Sequence, residues 1–233
     1  MKQASVTYKT SAWLGLRLIG VMEFFISKVV ENKKFFNPEE FGWIASVESK
    51  YPQIRSELMK LLENYNAIPE FKNLSDEQER IVAGNKWKTF MFYVSGAKIE
   101  KNCRLCPVTT EAVEGIPGMV AAFYSVFEPH TRLIEHRGPY KGVLRYHLGL
   151  KVPAEKEKCS IRVVDEVRSW EEGKSLVFDD SFMHEAHNDS DEIRVVLFVD
   201  FLRPMKFPFS IINKGLVWLF RQSPFIQKIL KRV

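Results

Sequence analysis

The chain has 233 residues, of which 45% are hydrophobic and 27% charged, enough for one sizeable domain with extensions and too apolar for a disordered chain. Its net charge of +5 is uneven: residues 1–30 carry +3, residues 201–233 carry +7, and the middle carries −5. A basic excess confined to aromatic-rich ends sets nucleic acid aside and points to an anionic membrane surface.

Residues 1–36 read as an amphipathic N-terminal arm. The apolar stretch Trp13–Val30 is interrupted by Arg17, Glu23 and Lys28, so it falls short of the roughly 20 uncharged residues of a spanning helix. Residues 37–84 read as a helical support region. Asn37-Pro38-Glu39-Glu40 is a helix start, with a capping side chain, proline in the first turn and acids after it. Ile54, Leu58, Leu61 and Leu62 follow at helical spacing, and Ser75-Asp76-Glu77 predicts a second cap.

From Trp87 the hydrophobic period becomes two. Strands are expected over Trp87–Val94, Met119–Phe127, Val143–Val152, Ser160–Val164, Ser175–Phe178 and Ile193–Leu202. Gly-, Pro-, Asn- and Asp-rich turns separate them, as at Gly138–Gly142 and Asn188–Asp191. Residues 85–205 therefore form a mainly β domain, a sandwich or a double-stranded β-helix. After Asp200 the prolines at 204, 208 and 224 break the strand pattern. Residues 206–233 form a basic amphipathic tail. Ile211, Ile212, Leu216, Leu219 and Phe220 share one helical face, and Phe225, Ile226, Ile229, Leu230 and Val233 share the next. Such a tail either lies in a membrane interface or packs outside the β core.

Three cysteines, Cys103, Cys106 and Cys159, accompany no secretory signal. The odd count fits a reducing compartment, so the expected location is the cytoplasm, peripheral on the membrane surface. Cys103 and Cys106 form one C-x-x-C without the second pair that structural zinc needs, and they read as ordinary loop or core thiols.

All five histidines lie within residues 130–187. His136 opens the run His136-Arg-Gly-Pro-Tyr-Lys-Gly142, and Arg145-Tyr-His147 follows. His184 lies in Phe178-Asp-Asp-Ser-Phe-Met-His184, and Arg194 comes ten residues later in an apolar strand. A guanidinium among apolar strand residues is costly unless its charge is paired. Arg145 and Arg194 near two histidines suggest a dicarboxylate beside a metal, because the guanidinium fork suits carboxylates.

These runs resemble the aspartyl/asparaginyl β-hydroxylase family, which includes bacterial lipid A 2-hydroxylases, over roughly residues 85–205. The resemblance implies an iron(II)/2-oxoglutarate dioxygenase using O2, on a double-stranded β-helix of jelly-roll, cupin-like form, here with N-terminal helices and an amphipathic C-terminal helical tail. It implies that His136 and His184 bind the iron. Arg194 is then the partner of the distal carboxylate of 2-oxoglutarate, with the hydroxyl of Ser125, while Arg145 and His147 contact the carboxylate beside the keto group. His130 and His187 stay unassigned.

Such enzymes usually hold iron by two histidines and one carboxylate. The usual carboxylate position, two residues after the first histidine, is Gly138 here. The peptide-hydroxylating branch resembles this chain in having glycine there, whereas the lipid A branch carries an acid. Asp180 is the candidate that holds a water on the iron instead. Small residues at this position also occur in halogenating relatives of the superfamily.

Trp170–Phe182 and Gly138 are similar to the peptide hydroxylases. Arg104–Thr109, Arg145–Leu150, His184–Asp191 and Arg203–Met205 are similar to the lipid A hydroxylases. The second set is more extensive, and the basic ends suit an enzyme that reaches into a bilayer. The expected substrate is thus an acyl chain of lipid A or another membrane lipid, with peptidyl aspartate or asparagine as the alternative. A non-catalytic barrel that binds an acidic ligand is the remaining possibility, because Gly138 leaves the metal one ligand short.

Overall fold

The computed structural model describes residues 20, 23–64, 68, 82–83 and 87–230. Residues 23–29 are helical. There follow β1 (Phe35–Phe36), a 3-10 turn (Pro38–Glu40), α1 (Ile44–Ser49), α2 (Tyr51–Leu62), β2 (Val82–Ala83), β3 (Trp87–Val94), β4 (Ala97–Lys98), α3 (Glu100–Leu105), α4 (Pro107–Glu114), β5 (Met119–Phe127), β6 (Thr131–His136) and β7 (Val143–Lys151). The remainder is β8 (Cys159–Val163), β9 (Glu166–Ser169), β10 (Ser175–Phe178), β11 (His184–Asn188), β12 (Arg194–Leu202), α5 (Phe209–Arg221) and α6 (Pro224–Leu230).

Two sheets form, one in the order β1-β10-β7-β12-β5-β3-β4 and the other β2-β6-β11-β8-β9. Every strand pairing within them is antiparallel. This is the jelly-roll architecture expected from the sequence. The large sheet is covered on both faces. On one face Phe90, Phe92, Tyr124, Tyr146 and Leu197 pack against Ile44, Ile54, Leu58 and Val113 of the helices. On the other, Trp87, Phe123, Phe127, Phe178 and Phe198 meet Leu133, Ile161, Val163 and Ala186 of the small sheet. Burial on both faces explains why β3 and β12 read as near-continuous apolar runs. The site lies in this second layer.

Asn37 caps as expected, and with Glu40 it forms a reciprocal capping box, but the turn it opens is only three residues long. Two short strands fall outside the expected β domain. Phe35–Phe36 pairs with β10 and Val82–Ala83 with β6, so the arm and the support region each lend a strand to a sheet. The expected cap at Ser75-Asp76-Glu77 and the arm up to residue 19 lie outside the described residues. Cys103 and Cys106 are buried free thiols, as read. In the tail, Ile226 and Ile229 of α6 are buried against the core, while Ile211, Trp218 and Leu219 of α5 are exposed.

Candidate metal and anion site

His136 ends β6 and His184 begins β11, and the two are directly paired across the antiparallel ladder. Their rings lie 4.2 Å apart between centroids. His136 Nδ1 is 2.9 Å from the carbonyl of Ile134, and His184 Nδ1 is 2.9 Å from that of Phe182. A carbonyl only accepts, so each Nδ1 carries the proton and donates it. Each ring therefore presents an Nε2 lone pair. Among the described residues, that of His184 is buried without a hydrogen-bond partner. Carbonyl-fixed tautomers of this kind are how proteins orient metal-binding imidazoles.

His147 faces the same layer from β7. The indole N–H of Trp170 donates to its Nδ1 at 3.2 Å. Indole only donates, so in the neutral ring the proton of His147 sits on Nε2, a buried donor without a partner. Arg194, at the start of β12, is fully buried and stacked between Phe127 and Trp170, its Cζ 3.8 and 4.5 Å from their ring centres. Among the described residues its Nε and Nη1 have no hydrogen-bond partner, and burial pulls its pKa down to about 10. Ser125 of β5 accepts from the indole of Trp87 at 2.9 Å, which leaves its hydroxyl proton to donate. Across the ladder stands Thr89, another buried hydroxyl without a partner.

Arg145 is placed differently. It donates to Asp200 at 2.9 and 3.2 Å, and its Nη2 is 2.9 Å from Asp180. A ligand carboxylate at Arg145 would thus compete with two carboxylates of the protein. Asp180 reaches into the space above Gly138: a Cβ built on that glycine would lie 2.1 Å from Asp180 Oδ2. The Gly138 N–H also donates to the Asp180 carbonyl at 2.7 Å. The aspartate thereby fills the volume in which a ligand at 138 would stand. Among the described residues no set of three His, Cys, Asp or Glu side chains is grouped for a metal.

Gly138→Asp is therefore expected to restore no third ligand. The new side chain must displace a buried carboxylate held by Arg145, at a cost of roughly 1–3 kcal/mol for overpacking. A denaturant melt showing equal or greater stability, together with tighter iron binding, would contradict this.

Sequence reasoning passed over Trp170, Thr89 and Asp200 as site residues. Trp170 is the link between the two anion-facing groups, since it touches both His147 and Arg194. Its only signal was its place at the head of a recognisable run. Of the remaining histidines, His130 pairs with Asp191 at the surface. His187 lies 4.0 Å from Asp189, and both stand apart from this layer.

Burial holds the histidines neutral. It lowers the pKa of His184 to about 3, that of His147 well below its ordinary value and that of His136 less far. In the unfolded chain all three titrate near 6.5. Below that pH the unfolded state binds more protons, so the stability of the metal-free protein falls as pH falls. Asp180 opposes this: burial pushes its carboxyl up from 3.8 to about 6, so the folded state binds that proton first. Three histidines outweigh one aspartate, and each uncompensated proton costs about 1.4 kcal/mol per pH unit. Denaturant melts of metal-free protein should show a clear loss between pH 7 and pH 5, and a flat profile would refute the neutral, buried assignment.

The fold defines a jelly-roll protein, with the buried histidine pair and Arg194 as its candidate site. A family model described as aspartyl/asparaginyl beta-hydroxylase matches residues 48–204, and the chain belongs to that family. It is 45% identical over 197 residues to an ornithine lipid ester-linked acyl 2-hydroxylase of Rhizobium tropici, covering 84% of this chain and 70% of that protein. It is 33% identical over 180 residues to the aspartyl/asparaginyl beta-hydroxylase of Homo sapiens, covering 73% of this chain but 23% of that protein. Among solved structures it is similar to a prolyl hydroxylase from Trichoplax adhaerens, at 12% identity and TM-score 0.48, over 75% of this chain and 82% of that one. The protein is a hydroxylase of this family.

Proposed function

We propose that the protein is an iron(II)- and 2-oxoglutarate-dependent dioxygenase that hydroxylates an acyl chain of a membrane lipid. The observation that carries the cofactor reading is the set of orphaned buried groups in one layer. The lone pair of His184 asks for a cation, and the donors of His147 and Arg194 ask for an anion. An unpaired buried group of either kind is expensive, and a metal chelated by a dicarboxylate satisfies all of them together.

His136 and His184 would hold the iron through Nε2. Arg194 and Ser125 would take the distal carboxylate, and His147 Nε2–H would donate to the carboxylate beside the keto group, with Arg145 close by. With O2 and 2-oxoglutarate, bound iron supplies oxygen insertion at an aliphatic carbon, coupled to decarboxylation of the keto acid to succinate. Asp180, oriented by Arg145 over Gly138, would accept a hydrogen bond within the iron site. Phe178, against the rings of His147 and His184, keeps bulk water from the histidines.

The lipid class is supported by the 45% identity to an ornithine lipid acyl 2-hydroxylase over most of both chains. An ester-linked acyl chain of an aminolipid is accordingly the first substrate to test, ahead of lipid A. The test is purified protein with iron(II), ascorbate and 2-oxoglutarate, offered ornithine lipid, lipid A or an aspartyl peptide. Succinate and products are read by mass spectrometry. A gain of one oxygen on an acyl chain, abolished by omitting iron or 2-oxoglutarate, is expected. Oxygen on the peptide alone would transfer the reading to the peptide branch. Binding of 2-oxoglutarate with no product on any substrate would favour the non-catalytic barrel.

A further inference from the structure

Two apolar helical faces with no partner among the described residues flank the loop that follows His136. In the helix over residues 23–29, Ile26 points into the core, while Phe24, Phe25 and Val29 are at least half exposed. In α5 the residue that faces the body is Asn213, 1% exposed. At 100° per residue, Ile211, Trp218 and Leu219 stand on the opposite side, and they are 62%, 61% and 53% exposed. Leu216 and Val217, on the side of Asn213, are partly buried, so α5 is apolar towards the body and also carries large exposed apolar side chains on its outer side, where a helix that only packs on a core carries polar ones.

Both helices are tied to residues 137–142. Arg137 pairs with Glu23, and Lys141 donates to Asn32 at 3.0 Å. Tyr140 donates to Asn213 at 2.8 Å, and Asn213 donates to the Gly142 carbonyl at 2.7 Å. The loop that begins one residue after His136 is therefore the common mount of the two apolar faces. Two further exposed apolar side chains, Ile134 and Met183, lie next to the histidines on β6 and before β11.

We infer that these faces form one platform that seats the enzyme on an anionic bilayer, with the mouth of the histidine site turned towards the lipid. The inference deepens the proposed lipid substrate and rests on it. Charge commits the occupant: residues 201–233 hold seven basic residues and no acid. Lys214 is exposed and Arg221 half-exposed on α5. Basic residues around an apolar stripe mark a helix that lies in the interface of an anionic membrane. No described helix is long and apolar enough to cross a bilayer, and the inferred contact is in-plane.

The test is flotation of the full-length protein with vesicles of phosphatidylcholine alone, or of phosphatidylcholine and phosphatidylglycerol in equal parts. Two double variants are compared with it, Trp218→Glu with Leu219→Glu, and Phe24→Glu with Phe25→Glu. These side chains are exposed, so thermal melts should be unchanged. The intact protein is expected to float with the anionic vesicles and not with the neutral ones. Each double variant should lose at least about tenfold in partitioning. Turnover of detergent-dispersed lipid should stay as in the intact protein.

Failure of the intact protein to float, or equal flotation of the variants, overturns the platform. So does a vesicle-free dimer, seen by sedimentation, that the Trp218 variant dissociates, because a second copy then covers the face. A protein that floats but never oxidises an acyl chain refutes the substrate reading and leaves the platform standing. One that oxidises micellar lipid but does not float does the opposite.

Discussion

Replacing Arg194 with methionine is expected to raise the melting temperature of the ligand-free protein and to weaken 2-oxoglutarate binding by about a hundredfold or more. Removing one partner of a buried, hydrogen-bonded charge pair costs about 2–5 kcal/mol, or roughly thirtyfold to several thousandfold in affinity. The gain in stability has the same origin. Arg194 is 1% exposed, and two of its guanidinium nitrogens lack hydrogen bonds. Its charge faces the rings of Phe127 and Trp170, which are worth up to about 2 kcal/mol. An apolar side chain of similar volume in place of buried charge is often neutral or stabilising by about 1–4 kcal/mol. Calorimetric melts without ligand and titration with 2-oxoglutarate separate the two effects. A destabilised variant with unchanged affinity would make Arg194 a structural cation.

The second large effect is on stability alone. Asp179 is fully buried and receives Arg203, whose own Nε donates to the Lys141 carbonyl at 2.8 Å. Lys141 Nζ lies 3.6 Å from the same carboxylate oxygen, and the Ser181 N–H donates to the other oxygen at 3.0 Å. Asp179→Ala strands two cations and is expected to cost about 3–5 kcal/mol. For a chain of this size that lowers the melting temperature by roughly 6–20 °C. Adding Arg203→Met should return part of the loss, because the two residues form one unit. Additive losses would mean that they do not. The cluster clamps the turn carrying Asp180 to the loop after His136, so the double variant also tests how much the site depends on that clamp.

The long strands were legible because their apolar content is high. β3, β5 and β10 have the bounds expected for them, and β7 and β12 differ by a residue. The strands that carry the histidine pair were not. The inward positions of β11 are His184, Ala186 and Asn188, and β6 buries only Thr131 and Leu133. Where function supplies the inward side chains, the hydrophobic alternation that marks a strand is missing. Helices α3 and α4 were overlooked for another reason: they are short, interrupted at Cys106-Pro107, and expose half their length.

The site was legible in its residue types and less so in its pairings. His136, His184, Arg194 and His147 all face the layer between the sheets, and the resemblance had grouped them. That Arg145 is already engaged by Asp180 and Asp200 could not be read from the chain, because those partners lie 35 and 55 residues away. Nor could the role of Gly138, which is decided by the volume Asp180 occupies.

Each histidine of the pair takes its orientation from the carbonyl two residues upstream in its own chain, Ile134 for His136 and Phe182 for His184. A carbonyl belongs to the backbone, and side-chain substitution cannot delete it. Replacing Ile134 or Phe182 with another residue leaves the acceptor in place, so the aim of the two imidazoles is insulated from point mutation. The walls that choose a substrate can then diverge among descendants while the pair keeps its bearing.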